Sequence, residues 1–271
     1  MAWFMGIDIG SATSKGVITK GSDFFACHVF PSGTNYRMAA QKLREELLAK
    51  GNLSQEEIAC TVATGRGANN VLFADHQVAD IICCARGISS IFPSVRTIID
   101  VEDQSSQVIR VDEEGRVINF TVSEKCAAGS GRFLQVIANV LRIDPKDIGP
   151  LSLKSENPVI FTTGCAVFGE TEAVSRVAEG TSKEDILGGV HKAIAGKISS
   201  LVERLGSEEQ YAISGGGGLD IGLIKAIEEK LGIQLLVPPY PQLVAALGAA
   251  IMATEKYDSY GTTDIGTDSQ S

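Results

Sequence analysis

Apolar and polar residues alternate in three short runs at the start of the chain, "FMGIDIG", "SKGVITK" and "DFFACHVF", with turn-forming residues between them. Alternation of this kind predicts three successive strands. The next stretch, "NYRMAAQKLREELLAKG", changes to helical spacing and stops at Gly51, as an amphipathic helix does. "IACTVATG" then reads as a further strand. The whole arrangement returns later, where "RTIIDVEDQSSQVIRVDEEGRVINFTV" lies over "FMGIDIGSATSKGVITKGSDFFACHVF", with Asp100 opposite Asp8 and Ile109 opposite Val17.

Two copies of an Asp-led hairpin plus third strand, each followed by helices, predict two α/β halves facing one another across a cleft, a favoured place for ligands. From "GCAVFGETEAVSRVAEG" through "KEDILGGVHKAIAGKISSLVERLG" the chain reads as consecutive helices. "QYAISGGGGLDIGLIKAIEEKLG" gives strand, glycine turn and helix, and "IQLLVPPYPQLVAALGAAIMA" a strand, a Pro-rich turn and a small-residue helix. We divide the chain into a first half, 1–94, a second half with a helical region, 95–257, and a polar, aperiodic tail, 258–271, expected to be disordered.

Composition narrows the partners. The 271 residues are enough to bury a core without disulfide or metal staples, and a net charge of −9 argues against nucleic acid. "MAWFMGIDIG" lacks the basic flank and cleavage site of a leader, and no apolar run approaches the roughly 18 residues of a membrane span. A soluble cytoplasmic protein with a protein or small-molecule partner is expected.

Three loops have the make-up of a nucleotide site. In "DIGSATSKG", Asp8 ends a strand, and Ser11, Ala12, Thr13, Ser14 and Lys15 follow; small residues let backbone N–H groups approach phosphate oxygens, and the lysine offsets their charge. Asp8 suits an Mg²⁺ ion held directly or through water, although an ordinary glycine-containing hairpin reads the same way. In "SGGGGLD", Gly215, Gly216 and Gly217 offer flat backbone to an adenosine ahead of a helix N-terminus. Gln242, after "VPPYP", is either a donor and acceptor at the same site or a helix cap. Neither a Walker loop nor a dinucleotide fingerprint is present. The set resembles instead the ATPase cleft of actin, hexokinase and Hsp70, where paired Asp-led hairpins grip the phosphates.

Six cysteines show no disulfide spacing. Cys27, Cys60, Cys83 and Cys84 read as small buried hydrophobes. Cys126 and Cys165 each precede a helix, a setting that favours thiolate. They are either structural or half of a ligand set: a [4Fe–4S] cluster usually takes four thiolates, and two copies of the chain about a two-fold axis would supply them.

"GIDIGSATSKGVI", "KCAAGSGRFLQVIANVL", "CAVFGETEAVS", "GGVHKAIAGKI" and "PQLVAALGAAI", in that order and over nearly the whole chain, resemble the activators of 2-hydroxyacyl-CoA dehydratases and the related ATPase subunits of benzoyl-CoA reductase. The resemblance implies a duplicated actin-like (ribonuclease H-like) ATPase fold, a homodimer or heterodimer, and one [4Fe–4S] cluster shared through Cys126 and Cys165. It implies ATP and Mg²⁺ as cofactors, Ser11 through Lys15 on the phosphates, and adenosine near Gly217 and Gln242. The implied job is to spend ATP in driving a low-potential electron, taken from a donor such as ferredoxin or flavodoxin, into a partner iron–sulfur enzyme.

One departure stands out. The family's second hairpin usually reads Asp-x-Gly-Gly-Gln, whereas this chain has "DVEDQSS", with Glu102 and Asp103 at the glycine positions and Asp100 and Gln104 retained. Two carboxylates there would repel phosphate unless a metal or a turned-away backbone intervenes. Asp100 and Gln104 keep the places from which an attacking water could be oriented. Two further classes share the cleft: a sugar or acid kinase with Asp100 as base, and a nucleotide-sensing protein without turnover.

Overall fold

The computed structural model describes residues 2–21, 23–123, 130–161 and 166–261. Cys126 and Cys165 therefore lie outside the described residues. The chain divides into two compact units, Met1–Ile91 with Leu243–Ser271, and Phe92–Gln242.

The first unit is built on strands β1 (Trp3–Ile9), β2 (Thr13–Lys20), β3 (Asp23–Pro31), β4 (Ile58–Thr64) and β5 (His76–Gln77), in spatial order β3-β2-β1-β4-β5. The first three are antiparallel neighbours, and β4 and β5 join in parallel. Helix α1 (Tyr36–Gly51) starts where the Asn35 side chain accepts the Met38 N–H, and it buries Ala39, Ala40, Leu43 and Leu47. Leu43 and Leu47 pack with Ile7, Ile9 and Ile18 of the sheet. Helix α2 (Asp80–Ile91) follows β5.

The second unit repeats the plan. Strands β6 (Thr97–Val101), β7 (Ser106–Val111), β8 (Val117–Val122), β9 (Tyr211–Ser214) and β10 (Leu235–Leu236) lie in the order β10-β9-β6-β7-β8, the same arrangement read from the other end. Between β8 and β9 come α3 (Gly131–Leu141), α4 (Ile148–Ser152), α5 (Ala166–Ala178) and α6 (Lys183–Leu205); α7 (Ile221–Leu231) links β9 to β10. Ile186, Val190, Ile194 and Ile198, at helical spacing along α6, pack with Ile99, Val101 and Val108 of the sheet. The duplicated α/β architecture is the one the repeat predicts, and it agrees with the actin-like fold that the resemblance implies.

The final helix α8 (Val244–Gly261) belongs to the first unit, although the sequence division groups residues 243–257 with the second half. The reason is close packing. A Cβ on Gly6 of β1 would lie 2.0 Å from the Ala246 carbonyl oxygen, and one on Gly248 would lie 1.7 Å from the Cys83 carbonyl oxygen. Ala246, Ala249, Ala250 and Ala253 form the flat, fully buried side that such approach demands. Helix α8 also carries the chain to Gly261, three residues past the expected start of the tail; residues 262–271 lie outside the described set. Among the described residues, no helix is long and apolar enough to cross a membrane.

Candidate functional site

The first hairpin is held from below. Asp8 ends β1 opposite Lys15 of β2, and the Lys15 ammonium donates to Asp8 Oδ2 at 3.0 Å. Both groups are buried; Lys15 is only 2% exposed. A Cβ on Gly10 would stand 3.1 Å from Lys15 Nζ, so the ammonium also reaches back beneath the turn. The turn is closed by the Gly10 N–H donating to the Thr13 carbonyl at 3.0 Å. Ser32, at the end of β3, braces it further: its N–H donates to the Ala12 carbonyl, its hydroxyl donates to the Gly10 carbonyl at 2.7 Å, and Ser14 Oγ lies 2.8 Å from Ser32 Oγ. Ser11, Ala12 and Thr13 are half-buried. The structure thus brings Asp8 and Ser11 through Lys15 into one turn, with a positive charge underneath and small residues on top.

Asp8 also meets the end of β4. Thr64 lies beside it in the parallel register, and Gly65 follows with φ +83. A Cβ there would fall 2.2 Å from Asp8 Oδ1, so only glycine lets the chain after β4 pass this close to the carboxylate. A carboxylate at a strand end is a donor type that hard divalent cations take, often through water.

The second hairpin shares this geometry with different side chains. Asp100 ends β6 opposite Gln107 of β7 and beside Ser214 of β9. The Gln107 amide donates to Asp100 Oδ2 at 2.8 Å, and the Ser214 hydroxyl donates to Asp100 Oδ1 at 2.7 Å. Gly215 follows with φ +78, its missing Cβ 2.9 Å from Asp100 Oδ1 and 2.4 Å from the Val101 carbonyl oxygen. Glu102 through Ser105 form the turn, closed by the Glu102 N–H donating to the Ser105 carbonyl at 3.0 Å, and Gln104 sits within it, half-buried.

Glu102 and Asp103 answer in part to the backbone. Their carbonyls accept the Gly131 and Arg132 N–H groups at 2.9 and 2.7 Å, occupying two of the orphan donors at the start of α3. The Asp103 carboxylate lies 3.8 Å from the Arg132 guanidinium.

The glycine turn packs on the same strand end. Gly216 through Leu219 make one tight turn, Gly215 and Gly217 are buried, and Gly216 is exposed. A Cβ on Gly217 would lie 2.5 Å from Val101 Cβ. The Gly215 N–H donates to the Pro241 carbonyl at 3.0 Å, which sets Gln242, half-buried, next to the turn. Asp220 caps α7, accepting from the Gly222 and Leu223 N–H groups. Within the second unit, Asp100, the glycine turn and Gln242 thus form one neighbourhood. Sequence reasoning missed Gln107, Ser214, Gly65 and Ser32; aligning "TG" after β4 with "SG" after β9 would have found two of the four.

The described cysteines are unsuited to ligation. Burial pushes the Cys60 thiol up to about 11, with Asp75 adding to the effect. Burial pushes Cys83 to about 12, partly countered by the Thr64 hydroxyl and reinforced by the charges of Asp8 and Asp80. Cys84 is buried and Cys27 half-buried. Among the described residues, no group of three or more His, Cys, Asp or Glu could hold a metal ion.

The sequence profile of the BadF/BadG/BcrA/BcrD ATPase family matches residues 5–253. The chain is 40% identical over 93% of its length, and 95% of the relative's, to the 2-hydroxyisocaproyl-CoA dehydratase activator of Clostridioides difficile. It is 38% identical to the (R)-2-hydroxyglutaryl-CoA dehydratase activating ATPase of Acidaminococcus fermentans, covering 93% of this chain and 97% of that one. The solved structure of the activator of the 2-hydroxyisocaproyl-CoA dehydratase from Clostridium difficile with bound ADPNP superposes with a TM-score of 0.91, at 37% identity, over 99% of this chain and 100% of that one.

Proposed function

The chain belongs to the BadF/BadG/BcrA/BcrD ATPase family, and on that premise we propose that it is an ATP-hydrolysing activator that delivers low-potential electrons to a partner iron–sulfur dehydratase acting on a 2-hydroxyacyl-CoA. The observation that carries this reading is an Asp-led hairpin present twice, at Asp8 and Asp100, in a chain that matches a dehydratase activator over 93% of its length.

The roles follow from the geometry. Ser11, Ala12 and Thr13 present backbone N–H groups and hydroxyls to the phosphates, Ser14 holds the hairpin through Ser32, and Lys15 supplies positive charge beneath them. Asp8, at the end of β1, would hold Mg²⁺ through its water shell. Asp100 and Gln104 orient the attacking water. Gly215 through Gly217 offer flat backbone to the adenosine, and Gln242 a neutral donor and acceptor beside it.

Cys126 and Cys165 of two chains together hold one [4Fe–4S] cluster, which when bound accepts and releases a single electron. The ligand count makes the working unit a dimer, of this chain with itself or with a related subunit. The chain then acts in the cytoplasm between a low-potential donor, a ferredoxin or flavodoxin, and the dehydratase. ATP is useful here because each factor of ten in a one-electron equilibrium corresponds to about 59 mV, and hydrolysis can set that bias if ATP and ADP favour different states of the dimer. Glu102 and Asp103 favour a second reading, an altered ATPase subunit of a hetero-oligomeric benzoyl-CoA reductase.

Anaerobic purification followed by iron and sulfide analysis and native mass measurement tests the proposal. The expected result is a dimer with about four irons per pair of chains, and loss of the iron in Cys126→Ser. Metal-free, monomeric wild type would overturn it, and a stable complex with a second, related chain would favour the reductase reading.

A further inference from the structure

The duplicated sheets allow the two carboxylates to be compared atom for atom. Asp8 pairs across the sheet with Lys15 and, on its other side, with Thr64; Asp100 pairs in the same two directions with Gln107 and Ser214. In the first unit one Asp oxygen meets an ammonium. In the second unit both oxygens accept from neutral donors, Oδ2 from the Gln107 amide and Oδ1 from the Ser214 hydroxyl.

Amide and hydroxyl donors on its two oxygens fix the direction in which a carboxylate points. The donors are themselves fixed: Gln107 is 5% exposed, one rung before the end of the β6–β7 pairing, and Ser214 is fully buried at the last rung of the β6–β9 pairing. A buried amide and hydroxyl are costly unless satisfied, and apolar residues would fill a strand interior more cheaply. Their presence at the end of β6, where the hairpin turns, therefore points to orientation of Asp100.

We propose that Gln107 and Ser214 are positioning residues that act through Asp100, clamping its carboxylate in one orientation toward the attacking water. The proposal rests on the ATPase reading above and extends it to two residues outside the hairpin turn. Ser214 immediately precedes the glycine turn, so the clamp also ties the orientation of Asp100 to the backbone proposed to hold adenosine.

The test is a mutant cycle on the anaerobically purified full chain. It reads phosphate release from MgATP, nucleotide affinity with a fluorescent ATP analogue, and the thermal midpoint. Gln107→Leu and Ser214→Ala are expected to lower kcat on the order of 10- to 100-fold with nucleotide affinity retained, and Ser214→Thr, which keeps the hydroxyl, to restore most of the turnover. In an Asp100→Ala background, Gln107→Leu is expected to cause no further loss of kcat. Should Gln107→Leu not fold, the Ser214→Ala and Ser214→Thr pair carries the same test. Unchanged kcat in both single variants, or an additive loss on top of Asp100→Ala, overturns the clamp and leaves the ATPase reading standing. An Asp100→Ala variant that turns over normally overturns the role of Asp100 itself, and the clamp with it.

Discussion

The two units carry the same hairpin on the same sheet and finish it differently. In the first, Asp8 and Lys15 form a buried ion pair beneath a turn of small residues, braced by Ser32. In the second, Asp100 is held by Gln107 and Ser214, and the turn above it contains Glu102 and Asp103, whose carbonyls cap α3. Duplication copied the scaffold, and the side chains then diverged. The lesson is that the first hairpin is built to receive negative charge, whereas the second presents a directed carboxylate and is fastened to the helix that follows the Cys126 segment.

The sharpest way to break this comparison is to remove each aspartate in turn. Asp8→Ala breaks the buried Lys15–Asp8 ion pair, a loss that typically costs about 3–5 kcal/mol. Asp100→Ala removes the acceptor of the Gln107 amide and of the Ser214 hydroxyl, for which about 1–3 kcal/mol is typical. Urea unfolding of the two variants should therefore show the larger shift for Asp8→Ala; a larger loss for Asp100→Ala would contradict the weight given to the Lys15–Asp8 pair.

The glycines that crowd the two aspartates come next. Gly65→Ala and Gly215→Ala each combine positive φ with a Cβ thrust against a carboxylate oxygen, at 2.2 and 2.9 Å. Each should cost about 1–3 kcal/mol. Gly33 has φ +64 but nothing within 4 Å of its missing Cβ, so Gly33→Ala serves as the control for backbone strain alone. If all three variants lose the same stability, the close approach to Asp8 and Asp100 contributes nothing.

A smaller effect is expected from acid. The Asp185 carboxyl is held below its ordinary value by the Asn157 N–H first, then by the hydroxyls of Ser182 and Ser155, so it fastens the loop before the Cys165 segment to the start of α6. A depressed carboxyl stabilises the fold fully above the ordinary range, and the gain is lost as pH falls through the folded value. The difference in urea midpoint between pH 7 and about pH 3 should shrink in Asp185→Asn; an unchanged difference would remove Asp185 from the account.

Thiol labelling should perturb stability least of all. Native alkylation at pH 8 with peptide mapping should leave Cys60 and Cys83 unmodified, because burial holds their thiols near 11 and 12. Rapid labelling of either would reopen the assignment of the cysteines.

Much of the scaffold could be read in the chain because repetition is visible in one dimension. Asp8 and Asp100 announce themselves at the ends of matching apolar runs, and Ser11 through Lys15 have a composition few other roles require. What escaped has a common cause. Ser214 meets Asp100 across a parallel pairing that joins strands separated by four helices, and such registers leave no local trace. Gln107 read as an ordinary strand residue because its partner is defined only by the hairpin register. The sequence division leaves helix α8 with the second half because a stripe of alanines says only that something packs closely; Gly6 on β1 and Gly87 on α2 show what does.

The central claim, that this chain spends ATP to activate a partner, is tested most directly by mixing the anaerobically reduced protein with an inactive 2-hydroxyacyl-CoA dehydratase, its acyl-CoA and MgATP. The account predicts that dehydration starts with ATP, fails with ADP or a non-hydrolysable analogue, and is lost in Cys126→Ser. Dehydration that starts equally well without ATP, or with Cys126 replaced, would contradict it.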